Sequence, residues 1–374
     1  MAEFGQEIKK LGFGLMRLPM NGAEVDLETT QKMVDAFIAA GFTYFDTAYG
    51  YIGGKSEAAA KRVLVEKYPR ESFQLATKLP AWAGCKTPED ARNMFYTSLE
   101  RTGAGYFDFY LLHAMSSKNK QIFEDLHVWE FAAELKAKDL VKHVGFSFHD
   151  SAEELEKLLT EHPEAEFVQL QINYDDWESE GVQSHKCYEV ARAHAKPVII
   201  MEPVKGGNLS ALPAPVAEIL KAADPNASLS SWALRFAASL PGLVTVLSGM
   251  STPEQMADNL ATMTDFRPLS PTEREVLDRA KAALDALPRI PCTGCRYCVA
   301  GCPQKIAIPD IFHAANLVQV YNNLPGAKGH YGYVTKEGGK ASACVACGQC
   351  ESVCPQHIGI IGELEKTAKL FDGE

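Results

Sequence analysis

Apolar residues in this chain form short, nearly continuous runs, separated by longer segments in which they recur every three or four positions. Short runs rich in β-branched and aromatic residues read as buried strands, and the periodic segments as amphipathic helices. Up to about residue 288 the strand runs are Leu11–Met16, Phe42–Ala48, Phe73–Lys78, Phe107–His113, Lys142–Phe148, Phe167–Ile172, Pro197–Met201 and Leu243–Ser248. Helix starts lie between them. Thr87-Pro88 offers a cap followed by proline at the first helical position. Ser151 with Glu154, and Ser270 with Glu273, have capping-box spacing. Eight β/α units in this length predict an α/β fold of the (β/α)8 TIM-barrel type. An open doubly wound sheet is the rival, but no G-x-G-x-x-G follows a strand, and Gly12-Phe13-Gly14 lacks the third glycine.

The pattern changes at Leu287-Pro288-Arg289-Ile290-Pro291, where two prolines make a stiff joint. We expect a barrel over residues 1–288 and a small, mainly helical domain over 289–374. The latter contains a helical pattern from Pro309 to Tyr321 and a Gly/Tyr-rich stretch from Gly326 to Gly339.

Eight of the ten cysteines lie in that second segment, as Cys292, Cys295, Cys298, Cys302 and Cys344, Cys347, Cys350, Cys354. Each run is C-x2-C-x2-C-x3-C and is followed by proline, Pro303 or Pro355. This is the ligand spacing of bacterial [4Fe–4S] ferredoxin modules, in which the fourth cysteine of each run serves the other cluster. One cluster is therefore assigned to Cys292, Cys295, Cys298 and Cys354, the other to Cys344, Cys347, Cys350 and Cys302. Zinc knuckles need no third cysteine three residues on, and disulfides suit an exported chain. Cys85 and Cys187 belong to no pattern.

The formal charge of −11 argues against nucleic acid as a partner. The N-terminal segment lacks an apolar signal core and no run is long enough to span a membrane, so a cytoplasmic location is expected.

Barrel chemistry sits at the C-terminal ends of strands. Strand two ends in Asp46, with Tyr51 just beyond; strand three ends in Lys78 and strand four in His113. These four, within FDTAYGY, ATK and LLH and with GFGLMRLP before them, resemble the catalytic tetrad and first strand of the aldo-keto reductases. With its paired cysteine runs, the chain is similar to a subgroup of that family fused to a ferredoxin-like domain. The resemblance implies an oxidoreductase interconverting a carbonyl and an alcohol. Tyr51 would be the general acid/base and Lys78 would favour its phenolate. Asp46 would compensate the buried lysine, and His113 would orient the substrate oxygen. Tyr49 is the rival tyrosine, but the family spacing selects Tyr51.

The resemblance also implies NAD or NADP. Ser147, Gln169 and Asn259 match family positions that touch nicotinamide or adenine. Lys205-Gly206-Gly207 follows strand seven, where barrel phosphate sites tend to lie. Met201 replaces an aromatic stacking residue, Phe148 an asparagine, and Gly249 and Gln255 the basic residues often found near a 2′-phosphate. The choice between the two nicotinamides therefore stays open. Nicotinamide delivers two electrons as hydride whereas each cluster handles one; a flavin would reconcile them, but no flavin motif is present. Ferredoxin or another redox protein is the expected partner beside a small carbonyl or alcohol substrate. His149, Trp82 and Trp177 are candidate pocket residues. Two other readings are an electron-transfer or subunit-docking protein with a non-catalytic barrel, and a zinc-stabilised interaction module.

Overall fold

The structure is a computed structural model that describes Phe4 and residues 8–373; the reading of the N-terminal segment falls largely outside them. Eight parallel strands close into a barrel: β1 (Leu11–Gly14), β2 (Tyr44–Asp46), β3 (Gln74–Leu79), β4 (Phe107–Met115), β5 (Val141–Phe148), β6 (Phe167–Gln171), β7 (Val198–Met201) and β8 (Leu243–Ser248). Closure comes from β1, whose Gly12 pairs with Tyr44 on one side and Leu247 on the other. Every expected strand is present, with ends shifted by a residue or two. Met16 leaves β1 because Leu15–Arg17 turn into a single 3-10 turn.

The barrel interior is filled at its N-terminal end by Tyr44, Phe109, Leu111, Phe167, Ile199 and Leu247, with Phe4 and Ile8 packed against them. Gly145 on β5 lets β6 approach, since a Cβ there would lie 2.4 Å from the Phe167 carbonyl oxygen. The outer strand faces pack on the surrounding helices through Phe37, Phe95, Phe107, Phe131 and Leu155. Two of the anticipated caps are formed. Thr87 and Asp90 make a reciprocal box at the start of Pro88–Thr102, and the Ser151 hydroxyl accepts from the Glu154 N–H. A helix also begins at Pro271, after Ser270.

The chain divides into two compact units, residues 1–206 with 230–271, and residues 207–229 with 272–374. The second carries no strand longer than an isolated bridge, Ile306 with Gly339, among the described residues. Its core joins Ile306, Ile308, Ile311, Phe312, Ile360 and Leu364 to Cys298 and Cys350. Asn316 clamps the proline joint by exchanging side-chain hydrogen bonds with both backbone groups of Ile290, at 2.8 and 2.9 Å. The expected helix over 309–321 is Ile308–Tyr321. The Gly/Tyr-rich stretch supplies a second helix, Leu324–Val334, held by Tyr331, which stacks on Phe371 and donates to Asp372. Among the described residues no helix is long and apolar enough to cross a membrane.

Candidate active site

The C-terminal ends of β2 and β3 place Asp46 and Lys78 side by side in the barrel interior, with side chains 4 % and 0 % exposed. The Lys78 ammonium pairs with the Asp46 carboxylate and donates to the Thr47 carbonyl at 2.8 Å and to the Tyr51 hydroxyl at 3.2 Å. Its three donors are thereby used, as a buried ammonium requires. Gln169, at the centre of β6, donates from Nε2 to the other Asp46 oxygen at 3.2 Å.

Tyr51 is delivered by a short irregular turn in which Ile52 and Gly53 adopt left-handed backbone angles. Behind it, Arg101 donates to the Tyr49 carbonyl at 3.1 Å, lies over the Tyr49 ring and pairs with buried Glu57. Glu57 in turn accepts from Thr77 at 2.8 Å. Tyr49 thus belongs to the support of the turn, and the hydroxyl facing Lys78 is that of Tyr51. His113, near the end of β4, packs edge-on to the Tyr51 ring at 5.8 Å. Its Nδ1 is buried with no hydrogen-bond partner among the described residues. Trp82 donates from its indole to the His113 carbonyl at 2.8 Å while remaining 44 % exposed.

Burial pushes the Asp46 carboxyl up, and Lys78 only partly opposes it. Burial would lower Lys78, but Asp46 and Tyr51 overcome it and hold the ammonium protonated. The same burial raises Tyr51. Lys78 pulls in the opposite direction, as the sequence suggests, yet desolvation of the phenolate outweighs it. Tyr51 is therefore a protonated phenol at neutral pH, a state suited to giving a proton. Burial, with help from Lys78 and His149, lowers His113 to about 3, so its ring is neutral at pH 7.

The other positions singled out in the sequence fall in distinct places. Ser147, beside Gln169 in the β5–β6 register, accepts the Ala114 N–H at 2.7 Å. Asn259 donates to Ser248 at 2.8 Å. Lys205 is inside an acidic cluster: its ammonium pairs with Asp175 at 2.7 Å and with Asp176. Asp176 also accepts from Gln171 and Asn173. Gly206 and Gly207 both have positive φ, 62° and 97°, a conformation that favours glycine. His149 lines a cleft of about 210 Å3 with Phe148, Asp150, Gln171 and Ser184. Trp177 stacks on His185 and packs on Phe236, a structural placement. Arg17 and Glu202, which the sequence reading passed over, form an ion pair at 3.6 Å, and the Glu202 charge reaches Tyr51.

In the second unit, two cavities are bounded by cysteines. One is lined by Cys292, Cys295, Cys298 and Cys354, the other by Cys302, Cys344, Cys347 and Cys350. This is the cross-paired grouping expected from the spacing. Among the described residues no group of three converges tightly enough for a single metal ion. Four thiols spread around an apolar cavity instead suit a polynuclear cluster.

Comparison with known proteins bears on the fold and the family. The aldo/keto reductase family model matches residues 10–282, and the 4Fe-4S dicluster domain model matches residues 291–358. An aldo-keto reductase of Mycolicibacterium smegmatis is 27 % identical over 144 residues, covering 38 % of this chain and 47 % of that protein. One from Mycobacterium avium is 25 % identical over 266 residues, 70 % of this chain and 86 % of the relative. The match thus spans about half the length of the first of these relatives and most of the second. A Klebsiella pneumoniae aldo-keto reductase crystallised in complex with NADPH superimposes with a TM-score of 0.59 at 21 % identity, over 73 % of this chain and 90 % of that one, which speaks for the fold. With the family model spanning the whole closed barrel and a dicluster domain following it, the chain belongs to the aldo/keto reductase family.

Proposed function

We propose that the barrel interconverts a carbonyl and an alcohol, with Tyr51 as the proton-transferring residue, and that the segment 289–374 holds two [4Fe–4S] clusters used for electron transfer. The observation that carries the barrel reading is the buried Asp46–Lys78–Tyr51 chain beside neutral His113. A buried ion pair is costly to keep for stability alone, and the lysine spends its remaining donor on a phenol at the edge of the site.

A nicotinamide fits the residues in part. Ser147 lies next to Gln169, and Gly206 and Gly207 offer backbone without side chains. The Lys205 charge is committed to Asp175 and Asp176, so a pyrophosphate would meet the glycine backbone rather than that ammonium. When bound, the nicotinamide supplies a hydride for the carbonyl carbon. Tyr51 then gives its proton to the oxygen, which becomes the alcohol. Lys78, at 3.2 Å, stabilises the phenolate that remains, and Asp46 holds the ammonium in place. His113 orients the oxygen through a neutral ring nitrogen, adding no charge. The relative from Klebsiella pneumoniae, whose structure contains NADPH, supports this choice of cofactor class.

The eight cysteines fit two clusters, each serving as a one-electron site exchanging with a redox partner. The test is anaerobic purification, an iron and sulfide count, and titration with NADH, NADPH and flavin in the presence of carbonyl substrates. Carbonyl-dependent oxidation of a nicotinamide supports the barrel reading, and about eight irons support the clusters. Flavin-dependent turnover with no nicotinamide binding would overturn the hydride source.

A further inference from the structure

The two cysteine runs repeat in spacing but differ in the charges placed between their ligands. After the second cysteine stands Arg296 in the first run and Gly348 in the second; after the third stands Val299 in the first and Glu351 in the second. Both Arg296 and Gly348 occupy left-handed backbone, φ 65° and 78°. Glycine takes that conformation without strain, whereas an arginine there is strained. The first run keeps arginine regardless. Asp310 grips the guanidinium with two hydrogen bonds at 3.1 and 2.9 Å, and Arg296 is the charged side chain lining the cavity of Cys292, Cys295, Cys298 and Cys354. The cavity of Cys302, Cys344, Cys347 and Cys350 has no charged lining residue among those described. Next to it, the Glu351 carboxylate follows Cys350 directly and is fixed by the Ile361 N–H at 2.8 Å.

We propose that Arg296 and Glu351 make the two cluster sites electronically unequal, with the Cys292/Cys295/Cys298/Cys354 site taking up an electron more readily than the other. The proposal rests on the reading that the eight cysteines hold two [4Fe–4S] clusters. Reduction of such a site adds one electron and no proton to a group already made anionic by four thiolates. A fixed guanidinium stabilises the added charge, and a fixed carboxylate opposes it. Asp310 offsets part of the arginine's effect, but it is the guanidinium that lines the cavity. Each charge is worth about tenfold in the one-electron reduction equilibrium, equivalent to about 59 mV. An external low-potential one-electron donor would therefore fill the Arg296 site first.

The experiment is a dithionite titration of the anaerobic full-length protein, followed by electron paramagnetic resonance at controlled potential. The parent should show two resolved midpoints. Arg296→Gln should lower the higher one by about tenfold in equilibrium constant, Arg296→Lys should move it less, and Glu351→Gln should raise the lower one. Glutamine at 351 retains an oxygen to accept from Ile361, so the fold there is kept. Coincident midpoints in the parent, or an Arg296→Gln shift in the lower midpoint, would overturn the inequality. A parent holding far fewer than about eight irons would instead overturn the two-cluster reading itself.

Discussion

Asp46→Asn is the perturbation that separates the catalytic and structural parts of the barrel site most sharply. In the parent, Lys78 is fully buried and Asp46 nearly so, and among the described residues the carboxylate is the only anion paired with that ammonium. Asparagine removes the charge while keeping an oxygen for Gln169. The ammonium is then left with the Thr47 carbonyl and the Tyr51 hydroxyl, both neutral. Removing one partner of a buried pair typically costs about 3–5 kcal/mol, a large part of the ~5–15 kcal/mol that keeps a domain folded. Replacing both charges removes the uncompensated ion, so Asp46→Asn with Lys78→Met should regain most of that loss. Chemical denaturation of the single and double variants measures it, read with the activity of each. The double variant should be nearly as stable as the parent yet deficient in turnover, because nothing then stabilises the Tyr51 phenolate. An Asp46→Asn variant within about 1 kcal/mol of the parent would refute the claim that this is a dry, tightly coupled pair.

Acid stability should carry the mark of His113. Its folded pKa of about 3 lies below the ordinary 6.5, so the unfolded chain binds the extra proton first. Stability from this group is fully present above 6.5 and is lost as pH falls toward 3, by up to about 5 kcal/mol. His113→Gln should reduce the slope of denaturation midpoints between pH 6.5 and 4.5, where His149 and His330, also lowered by burial, supply the remainder. That range lies above the window in which Glu166, held down at about 2, begins to contribute; an unchanged slope would count against the neutral buried ring. The cysteine grouping predicts that Cys354→Ser and Cys298→Ser erase the same cluster signal and that Cys302→Ser and Cys350→Ser erase the other. Loss paired within each run would contradict it. Gly145→Ala should destabilise the barrel by about 1–3 kcal/mol, because the new methyl would meet the Phe167 carbonyl and ring; a neutral result in a thermal melt would show that β5 and β6 can part freely.

The eight strands, the two cysteine runs and the Asp46, Lys78 and His113 positions were legible because each leaves a local mark, whereas Tyr51 was singled out over Tyr49 by the family resemblance alone. Strands leave apolar runs, cluster ligands leave fixed spacing, and strand-end polar residues interrupt apolar runs. Contacts between distant polar residues leave none. Nothing near Lys205 in sequence announces that Asp175 and Asp176, some thirty residues earlier, claim its charge. The Glu57–Arg101–Tyr49 support of the tyrosine turn is hidden for the same reason. The helix Leu324–Val334 is obscured by its glycines, which lower helical propensity, while Ala327 and Tyr331 pack it into place. The direction of the Tyr51 shift depends on how far burial outweighs one ammonium, a balance that exists only in three dimensions.

The most direct test of the account is steady-state carbonyl reduction by Tyr51→Phe, assayed anaerobically beside the parent with iron content measured on the same samples. Phenylalanine keeps the ring against His113 and removes only the hydroxyl that meets Lys78. The account predicts a loss of about 10²–10⁴-fold in turnover with unchanged iron. Turnover within about tenfold of the parent would contradict Tyr51 as the proton donor.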